Sequence, residues 1–313
     1  MIKVDNLNIE NNFLLAPMSG VTDFPYREIV KEFEPGLVFS EMIASRALIS
    51  ENFKTKKMIK TTTNFISAIQ IAGCDPIIMG EAAKICEANG ADLIDINMGC
   101  PVKKVVNGYA GSALMKDEIL ATRILQSVVN SVKIPVSLKM RKGWDDNSLN
   151  APKIAKIAEE SGIKMITVHG RTRCQMYKGK SDWKFVKNVK SNVKIPVLVN
   201  GDITNNENLK QALKESQADG VMIGRGSYGR PWIFEELSSN KNNFQIDDKS
   251  KKQIILNHLE LSLDHYGKDV GLKSFRKHLG WYSKSINNSN EFRFKINRCT
   301  DEIILKNLIN DFF

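Results

Sequence analysis

A predicted buried strand ends in a reactive thiol. Residues 93–101, Leu-Ile-Asp-Ile-Asn-Met-Gly-Cys-Pro, form an apolar, alternating stretch that is typical of a strand and stops abruptly in a turn. Gly99 permits a turn that a Cβ would obstruct, and Pro101 prevents the strand from continuing. Cys100 therefore stands at a C-terminal strand tip, where α/β barrels carry their active-site residues. A lone cysteine is more often a small buried apolar residue, but here other strands also end in reactive groups.

Reactive or ligand-binding side chains follow most of the other predicted strands. They are Pro17-Met18, Gln70, Lys139, His169-Gly170, Asn200-Gly201-Asp202 and Gly224-Arg225-Gly226. Because a buried charge needs a partner, the ammonium of Lys139 can form a Schiff base, stabilise an anion or make a structural ion pair. The amides of Gln70 and Asn200 can bind the edge of a heterocycle, although a single such amide is more often a satisfied core residue.

The glycine-bearing turns after the last two predicted strands suit a phosphate. Backbone N–H groups there, together with Arg225, can bind a dianion, although a simple tight turn explains Gly224 and Gly226 equally well. His169 can contact a phosphate or a ring, and Asp202 can instead cap the following helix. A phosphate site, a cation, two amides and a thiol at one rim suit a flavin mononucleotide (FMN) with a substrate on its face.

The elements that must position these groups alternate along the chain. Eight apolar segments are predicted as strands: 13–17, 37–40, 65–71, 93–97, 135–140, 165–169, 196–200 and 220–224. Amphipathic segments predicted as helices lie between them, at 76–89, 116–132, 150–161 and 205–217. This alternation predicts a parallel sheet with crossover helices, and eight strands match a closed (β/α)₈ TIM barrel whose strand tips share one rim.

The pattern changes after Trp232. Residues 238–250 are polar and predict a linker, and helical patterns follow at 253–266, 271–285 and 301–313. We therefore predict an FMN-binding catalytic TIM barrel over residues 1–240 and a small all-helical domain over residues 241–313. The basic stretch 273–278 in this tail is either a solvated face or a contact for a polyanion.

Composition narrows the functional classes. The net charge of +10 suggests a nucleic-acid partner, although a Lys-rich composition produces the same excess. The five cysteines show no Cys-x-x-Cys or Cys/His spacing, so neither a disulfide framework nor a structural metal is expected. Because no signal-peptide core opens the chain and no apolar run approaches about 20 residues, we expect a cytoplasmic protein.

Several motifs resemble those of the tRNA-dihydrouridine synthase family, and the resemblance covers nearly the whole chain. The motifs span residues 15–23, 95–101 with 110–114, 139–144, 168–173, 200–203 and 223–225, with 276–278 and 281–282 in the tail. The bacterial B-type enzymes are the most similar subgroup. The chain departs from the family at Asn107-Gly108-Tyr109, where basic residues are frequent, and this predicts a weaker RNA contact of that loop.

The resemblance implies an enzyme that reduces the C5=C6 bond of particular uridines in tRNA with FMN, which NADPH reduces. The implied FMN-binding residues are Ala16, Pro17, Met18, Gln70, Lys139, His169, Asn200, Gly201, Asp202, Gly224 and Arg225, and the implied proton donor is Cys100. The predicted substrate-binding residues are Asn97, Arg141, Arg171, Arg173, Lys178, Arg276 and Lys277. The expected partners are tRNA and NADPH, and we expect a monomer without a metal.

The chemistry of a thiol suits the implied reaction. After hydride from reduced FMN reaches C6 of the uracil, C5 needs a proton, and a thiol is mostly protonated at neutral pH. Lys139 stabilises negative charge either on the reduced flavin or on the uracil O2/O4 edge. The target base must leave its stack, and the similarity to B-type enzymes suggests a uridine of the D-loop.

Two other functions agree with parts of the sequence. An FMN-dependent reductase of a free pyrimidine, of the dihydroorotate dehydrogenase kind, shares the barrel and the flavin. The basic charge and the helical tail favour a large polyanion over that small acid. A non-catalytic tRNA-binding protein would bind tRNA without a bound chromophore.

Overall fold

Eight parallel strands close into a barrel. The structure, a computed structural model, describes residues 1–50, 53–62, 64–239 and 244–313. The barrel strands are β3 (Phe13–Leu15), β4 (Leu37–Phe39), β6 (Ser67–Ala72), β7 (Leu93–Met98), β8 (Val136–Arg141), β9 (Met165–His169), β10 (Val197–Asn200) and β11 (Gly220–Ile223). They pair in chain order, β11 pairs with β3, and β4 pairs with β6, so the ring is closed. The predicted TIM barrel is confirmed.

Helices surround the barrel between its strands. They are α1 (Phe24–Lys31), α2 (Ser45–Ile49), α3 (Phe53–Met58), α4 (Pro76–Ala88), α5 (Lys103–Val106), α6 (Glu118–Ser131), α7 (Ala151–Glu160), α8 (Trp183–Lys190), α9 (Asn206–Ser216) and α10 (Ile233–Ser238). Short 3₁₀ helices span Gly111–Lys116 and Arg225–Ser227, and a two-residue strand, β5 (Ile43–Ala44), extends the edge of β6. The predicted helices between strands are all present, with ends that differ by one or two residues.

The alternation within each strand sorts side chains between two cores. On β7, Leu93 joins a cluster inside the barrel, whereas Ile94 and Ile96 join the larger cluster between the sheet and the helices. The inward positions that follow Leu93 on the same strand are Asp95 and Asn97. The interior is therefore apolar toward the N-terminal ends of the strands and becomes polar toward their C-terminal ends.

A hairpin covers the apolar end of the barrel. Strands β1 (Ile2–Val4) and β2 (Leu7–Ile9) pair antiparallel, and Ile2, Val4 and Ile9 pack with the interior cluster. Because each strand has three residues, the sequence pattern gave no sign of this hairpin.

Four helices follow the barrel. They are α11 (Asp248–Tyr266), α12 (Lys268–Tyr282), α13 (Ser289–Arg298) and α14 (Glu302–Phe312), of which α13 was not predicted. The boundary drawn at residues 240 and 241 lies outside the described residues. In the predicted linker, Phe244 and Ile246 pack against the core, and α11 already begins at residue 248.

The C-terminal helices α11 and α12 pack on α1. The ring of Tyr26 contacts His258 and His278 at centroid distances of 5.5 and 5.3 Å. The hydroxyl of Tyr266 donates to the Asp23 carboxylate over 3.0 Å. These contacts join the barrel and the tail in one hydrophobic cluster. No helix in the described part of the chain is both long and apolar enough to cross a membrane.

Candidate active site

The polar end of the barrel is built from adjacent strands in register. Gln70 of β6 pairs with Asp95 of β7, which pairs with Ser137 of β8. One step further along, Asn97 of β7 pairs with Lys139 of β8. Inward side chains at these positions lie at similar heights in the barrel, so the strand tips singled out in the sequence do converge on one mouth.

A chain of amides joins the barrel interior to the predicted catalytic turn. Gln70 Nε2 donates to Asp95 Oδ2 over 2.6 Å, and Asn97 Nδ2 donates to Gln70 Oε1 over 2.8 Å. Asn97 Oδ1 then accepts the backbone N–H groups of Gly99 and Cys100, at 3.2 and 2.9 Å. The implied FMN ligand Gln70, the predicted substrate ligand Asn97 and the implied proton donor Cys100 are thus linked by hydrogen bonds.

The Cys100 turn, residues 99–101, is also held from its other side. The carbonyl of Cys100 accepts the backbone N–H of Ser112 at 3.1 Å and the Ser112 hydroxyl at 2.8 Å. Gly111 precedes this serine with a φ of +62°, and a Cβ at Gly111 would lie 2.9 Å from the Cys100 carbonyl oxygen. Cys100 is partly exposed, and it lies close enough to Lys139 and Arg141 to raise their pKa values.

Replacing Gly111 tests this packing. We expect Gly111→Ala to lower the free energy of unfolding by more than the roughly 1–2 kcal/mol that a left-handed residue costs, because the new Cβ also meets Cys100. Gly179→Ala is the matched control, since its φ is +68° and a Cβ there meets nothing within 4 Å. Urea unfolding of both variants measures the difference, and equal losses would contradict the close contact.

Lys139 brings a positive charge to the mouth. Its ammonium donates to Asn200 Oδ1 over 3.2 Å, and the Asn200 amide in turn donates to the Met222 carbonyl over 2.7 Å. Burial, reinforced by the nearby Arg141 charge, lowers the pKa of Lys139 to about 8. Lys139 is therefore mostly charged at neutral pH, and it loses its proton as the pH rises through about 8.

His169 is held as a neutral ring. Its Nδ1 accepts the backbone N–H of Arg171 at 3.3 Å, which leaves Nε2 as the protonated nitrogen of the neutral imidazole. Burial and the surrounding charges of Lys139, Arg141, Arg171 and Arg225 lower the His169 pKa well below its usual value. His169 therefore offers a hydrogen-bond donor, without a charge, at the mouth.

Asp202 organises the two arginines next to the predicted phosphate turns. Its Oδ2 accepts Arg171 Nη2 at 2.6 Å and the backbone N–H of Ser181 at 2.8 Å, and its Oδ1 accepts Arg225 Nη2 at 3.2 Å. Arg225 remains about half exposed, whereas Arg171 is 2 % exposed. Asp202 follows Gly201, whose φ of +115° requires a residue without a Cβ.

Two arginines predicted to bind the substrate point instead into the protein. Arg171 also donates to the carbonyls of Lys178 and Gly179, and it is buried. Arg141, 3 % exposed, donates to the carbonyls of Gly99 and Thr172. Both guanidiniums are buried and donate to backbone carbonyls, and Arg171 also donates to Asp202, so both support the loops of the mouth. Their contact with the substrate stays a prediction.

The other predicted substrate residues are distributed around the mouth and the tail. Lys178 is exposed on the loop after β9, and the Arg173 guanidinium lies 4.7 Å from the centre of the Trp144 ring. Arg276 donates inward to the Cys299 carbonyl at 2.5 Å. Lys277, by contrast, faces the loop after β3, since its Nζ would lie 3.8 Å from a Cβ on Gly20.

The loop after β3 borders the last strand. The backbone N–H of Ala16 donates to the Ile223 carbonyl over 2.8 Å, and the side chains of Ala16 and Met18 lie nearest to Gly224. The implied FMN residues of the first and last strands, with Pro17 between Ala16 and Met18, therefore occupy one side of the mouth.

The structure adds two residues that sequence reasoning did not assign. Asp95 is fully buried beneath Lys139, and its place at an inward position of a predicted strand was the available signal. Tyr177 is about half exposed, with the guanidiniums of Arg141 and Arg225 at 5.7 and 5.3 Å from its ring centre. A lone tyrosine in a polar loop gave no comparable signal.

A cluster of potential metal ligands lies away from these residues. In the described ranges, Asp23, His258 and His278 are buried with potential metal-ligand atoms within 4.8 Å of one another. They lie where α1 meets the tail helices and share no residue with the Cys100 cluster.

Comparison with known proteins agrees with this arrangement. The closed TIM barrel carries polar side chains at the carboxyl ends of its strands, and this arrangement is typical of TIM-barrel enzymes. A family model described as dihydrouridine synthase matches residues 14–312. The chain belongs to the dihydrouridine synthase family, and the predicted family is thereby confirmed.

Curated relatives match over nearly their whole length. A probable tRNA-dihydrouridine synthase of Rickettsia bellii is 52% identical over 100% of this chain and 98% of its own. The tRNA-dihydrouridine synthase B of Vibrio parahaemolyticus is 42% identical over 95% of this chain and 94% of its own. These matches support tRNA-dihydrouridine synthase activity, including the B-type assignment.

Solved structures share the fold at low sequence identity. A histamine dehydrogenase from Rhizobium aligns with a TM-score of 0.61 at 12% identity, over 83% of this chain and 50% of that chain. Morphinone reductase in complex with tetrahydroNAD aligns with a TM-score of 0.53 at 11% identity, over 79% and 92%. These likenesses bear on the barrel architecture alone.

Proposed function

We propose that this protein reduces the C5=C6 bond of a D-loop uridine in tRNA, with FMN as the bound cofactor and NADPH as the reductant. The observation that carries the proposal is the placement of Cys100, Lys139 and Gln70 around one barrel mouth in a member of this family. In this proposal the barrel, residues 1–240, binds the flavin, and the tail, residues 241–313, contributes to tRNA binding in the cytoplasm.

The donors at the mouth fit FMN. Lys139 donates one of its three N–H groups to Asn200, and His169 carries a hydrogen on Nε2, whereas Gln70 is fully buried against Asp95 and Asn97. Such donors suit the carbonyl oxygens and ring nitrogens of an isoalloxazine. The half-exposed guanidinium of Arg225 beside Gly224 suits the phosphate, with Asp202 fixing the direction of that guanidinium.

The chain's own groups complete the reduction of the uracil. Bound FMN, once reduced, would supply the hydride that C6 of the uracil receives. The Cys100 thiol would give its proton to C5, so that the S–H bond breaks as the C–H bond forms. The resulting thiolate takes a proton from solvent before the next turnover. Lys139 lowers the energy of negative charge that develops during hydride transfer, and Asn97 keeps the Cys100 turn in place.

A direct kinetic comparison tests this function against the free-pyrimidine reductase. NADPH reduces the flavin-loaded protein under anaerobic conditions, and flavin absorbance is then followed after mixing with unmodified tRNA, uracil or orotate. We expect rapid reoxidation with tRNA and slow reoxidation with the free pyrimidines. The reverse order would support the rival function, and a purified protein that binds no flavin would support a non-catalytic tRNA-binding role.

Lys277 is the basic tail residue best placed to contact tRNA that enters the mouth. It lies at the junction of α12 with the loop after β3, where it is half-buried, with its Nζ near Gly20 and its charge close enough to Asp23 and Glu41 to lower their pKa values. We expect Lys277→Ala to weaken tRNA binding about three- to tenfold and to reduce the salt dependence of log K by about one unit of slope.

Lys306 provides the control for this prediction. It lies on α14 and is already paired with Glu260 at 2.5 Å and Glu302 at 2.7 Å, so Lys306→Ala should leave tRNA affinity almost unchanged. Filter binding or fluorescence anisotropy over a series of salt concentrations measures both variants. Equal effects of the two substitutions would remove Lys277 from the interface.

A further inference from the structure

We propose that Asp95 is a positioning residue for the Cys100 turn, because its carboxylate sets the direction of the hydrogen bonds through Gln70 and Asn97. Asp95 lies inside the barrel at the inward position two residues before Asn97. Within the described residues it connects to Cys100 through the two amides and has no direct bond to the turn.

The direction follows from which groups can donate. An ionised carboxylate only accepts, so Gln70 must present its Nε2 to Asp95 Oδ2. Gln70 Oε1 then faces Asn97 and accepts the Asn97 Nδ2 hydrogen. As a result, Asn97 Oδ1 faces the turn and accepts the N–H groups of Gly99 and Cys100.

Reversal of either amide would break the turn's support. If Gln70 presented its oxygen to Asp95, two acceptors would face each other in a buried place, which is costly. The reversed Asn97 would aim its own N–H₂ group at the N–H groups of Gly99 and Cys100. The carboxylate therefore leaves one arrangement of the two amides in which each hydrogen bond has a donor and an acceptor.

The surroundings of Asp95 make its effect on the orientation of the Gln70 and Asn97 amides sensitive to pH. Burial raises the pKa of Asp95 to about 6, against the Ser137 hydroxyl bond at 2.5 Å, the Gln70 bond and the Lys139 charge, which all lower the pKa. Above about pH 6 the group is ionised and only accepts. Below that pH the protonated carboxyl can also donate, so it no longer excludes the reversed amides.

The hydrogen bonds from Asp95 through Gln70 and Asn97 to the Cys100 backbone form a relay. The NMR signal of the Cys100 backbone amide reports the state of this relay in the absence of flavin and tRNA. Labelling with ¹⁵N-cysteine gives one backbone signal for each of the five cysteines, and Cys100→Ser identifies the relevant signal. We expect the Cys100 amide signal to shift with a midpoint near pH 6 in the native protein. In Asp95→Asn the signal should be independent of pH and lie near the native low-pH position, while the buried Cys86 signal stays fixed in both.

A second substitution keeps the test decisive if Asp95→Asn does not fold. Ser137→Ala removes one hydrogen bond that favours the ionised carboxylate but leaves Gln70 and Asn97 untouched, so the midpoint should move to higher pH. A Cys100 signal that does not titrate in the native protein would overturn the proposal. So would the same titration in Asp95→Asn, or an unmoved midpoint in Ser137→Ala.

The catalytic consequence rests on the proposed function. In the tRNA assay we expect Asp95→Asn to lower kcat about tenfold with little change in KM, since the thiol is misplaced while the RNA surface is intact. An unchanged kcat would overturn the positioning role. A native protein that reduces no tRNA would contradict the proposed function instead, and the pH response of the Cys100 amide would still decide the relay.

Discussion

Cys100→Ala should lose about 10²- to 10⁴-fold of its tRNA-reducing activity while it binds FMN and is reduced by NADPH as the native protein is. Cys100 is partly exposed. Its backbone N–H donates to Asn97, and its carbonyl accepts the Ser112 hydroxyl. Removing the sulfur therefore deletes the proton donor without removing the contacts that form the turn. Single-turnover reduction of tRNA, with flavin reduction by NADPH measured separately, gives both rates.

Cys174→Ala is the matched control. Cys174 is an exposed thiol on the loop after β9, and its backbone N–H donates to the Trp144 carbonyl, so the alanine variant keeps that bond. We expect native activity from it. Near-native tRNA reduction by Cys100→Ala would remove the thiol from the mechanism and leave the proton of C5 to another group.

Lys139→Met should weaken FMN affinity about ten- to hundredfold, since a charge-assisted hydrogen bond is lost from a buried site. The pH dependence identifies the group. Because the pKa of Lys139 is lowered to about 8, the ammonium is charged below that pH, and affinity should fall as the pH rises through it. In Lys139→Met the affinity should be flat between about pH 7 and 9.

The measurement is best made in a Cys100→Ala background, so that the thiol is absent from the mouth. Quenching of flavin fluorescence gives the dissociation constant at each pH. Lys153→Met is the control, since Lys153 is an exposed residue of α7 that pairs with Glu118 at 2.5 Å. A persistent step near pH 8 in Lys139→Met would assign that step to a different group.

The barrel was predictable because its strands carry strong local signals. The runs around Leu93, Met165 and Val197 are apolar on the face covered by helices, and on the interior face toward their N-terminal ends. Several elements were missed, among them α1, α8, the N-terminal hairpin and α13, and the last two lack such signals. The strands of the N-terminal hairpin have three residues each, and α13 buries only Phe292 and Ile296 among polar neighbours.

The sequence predicted which residues of the candidate site lie at the strand tips, but it did not predict their hydrogen-bond partners. A residue that follows a strand of a closed barrel must lie near the mouth, so Cys100, Lys139 and Asn200 were brought together from position alone. Whether an arginine then faces solvent or the protein depends on loop conformation. Arg171 folds back onto Lys178 and Gly179, a contact that the sequence does not encode in any periodic way.

The relay from Asp95 lay beyond sequence reasoning for a different reason. It depends on the register that sets Gln70 beside Asp95, and strands from separate parts of the chain carry no local mark of their register. The buried carboxylate within a predicted strand was visible, but its partner was not.

The central claim is that the protein reduces a uridine within folded tRNA, and nucleoside mapping tests it most directly. An unmodified tRNA transcript is incubated with the flavin-loaded protein and NADPH, then digested and analysed by mass spectrometry with the position assigned. We expect a uridine of the D-loop to gain two hydrogen atoms, and we expect free uracil in the same reaction to remain unchanged. A transcript without dihydrouridine, alongside reduction of the free base, would contradict the account.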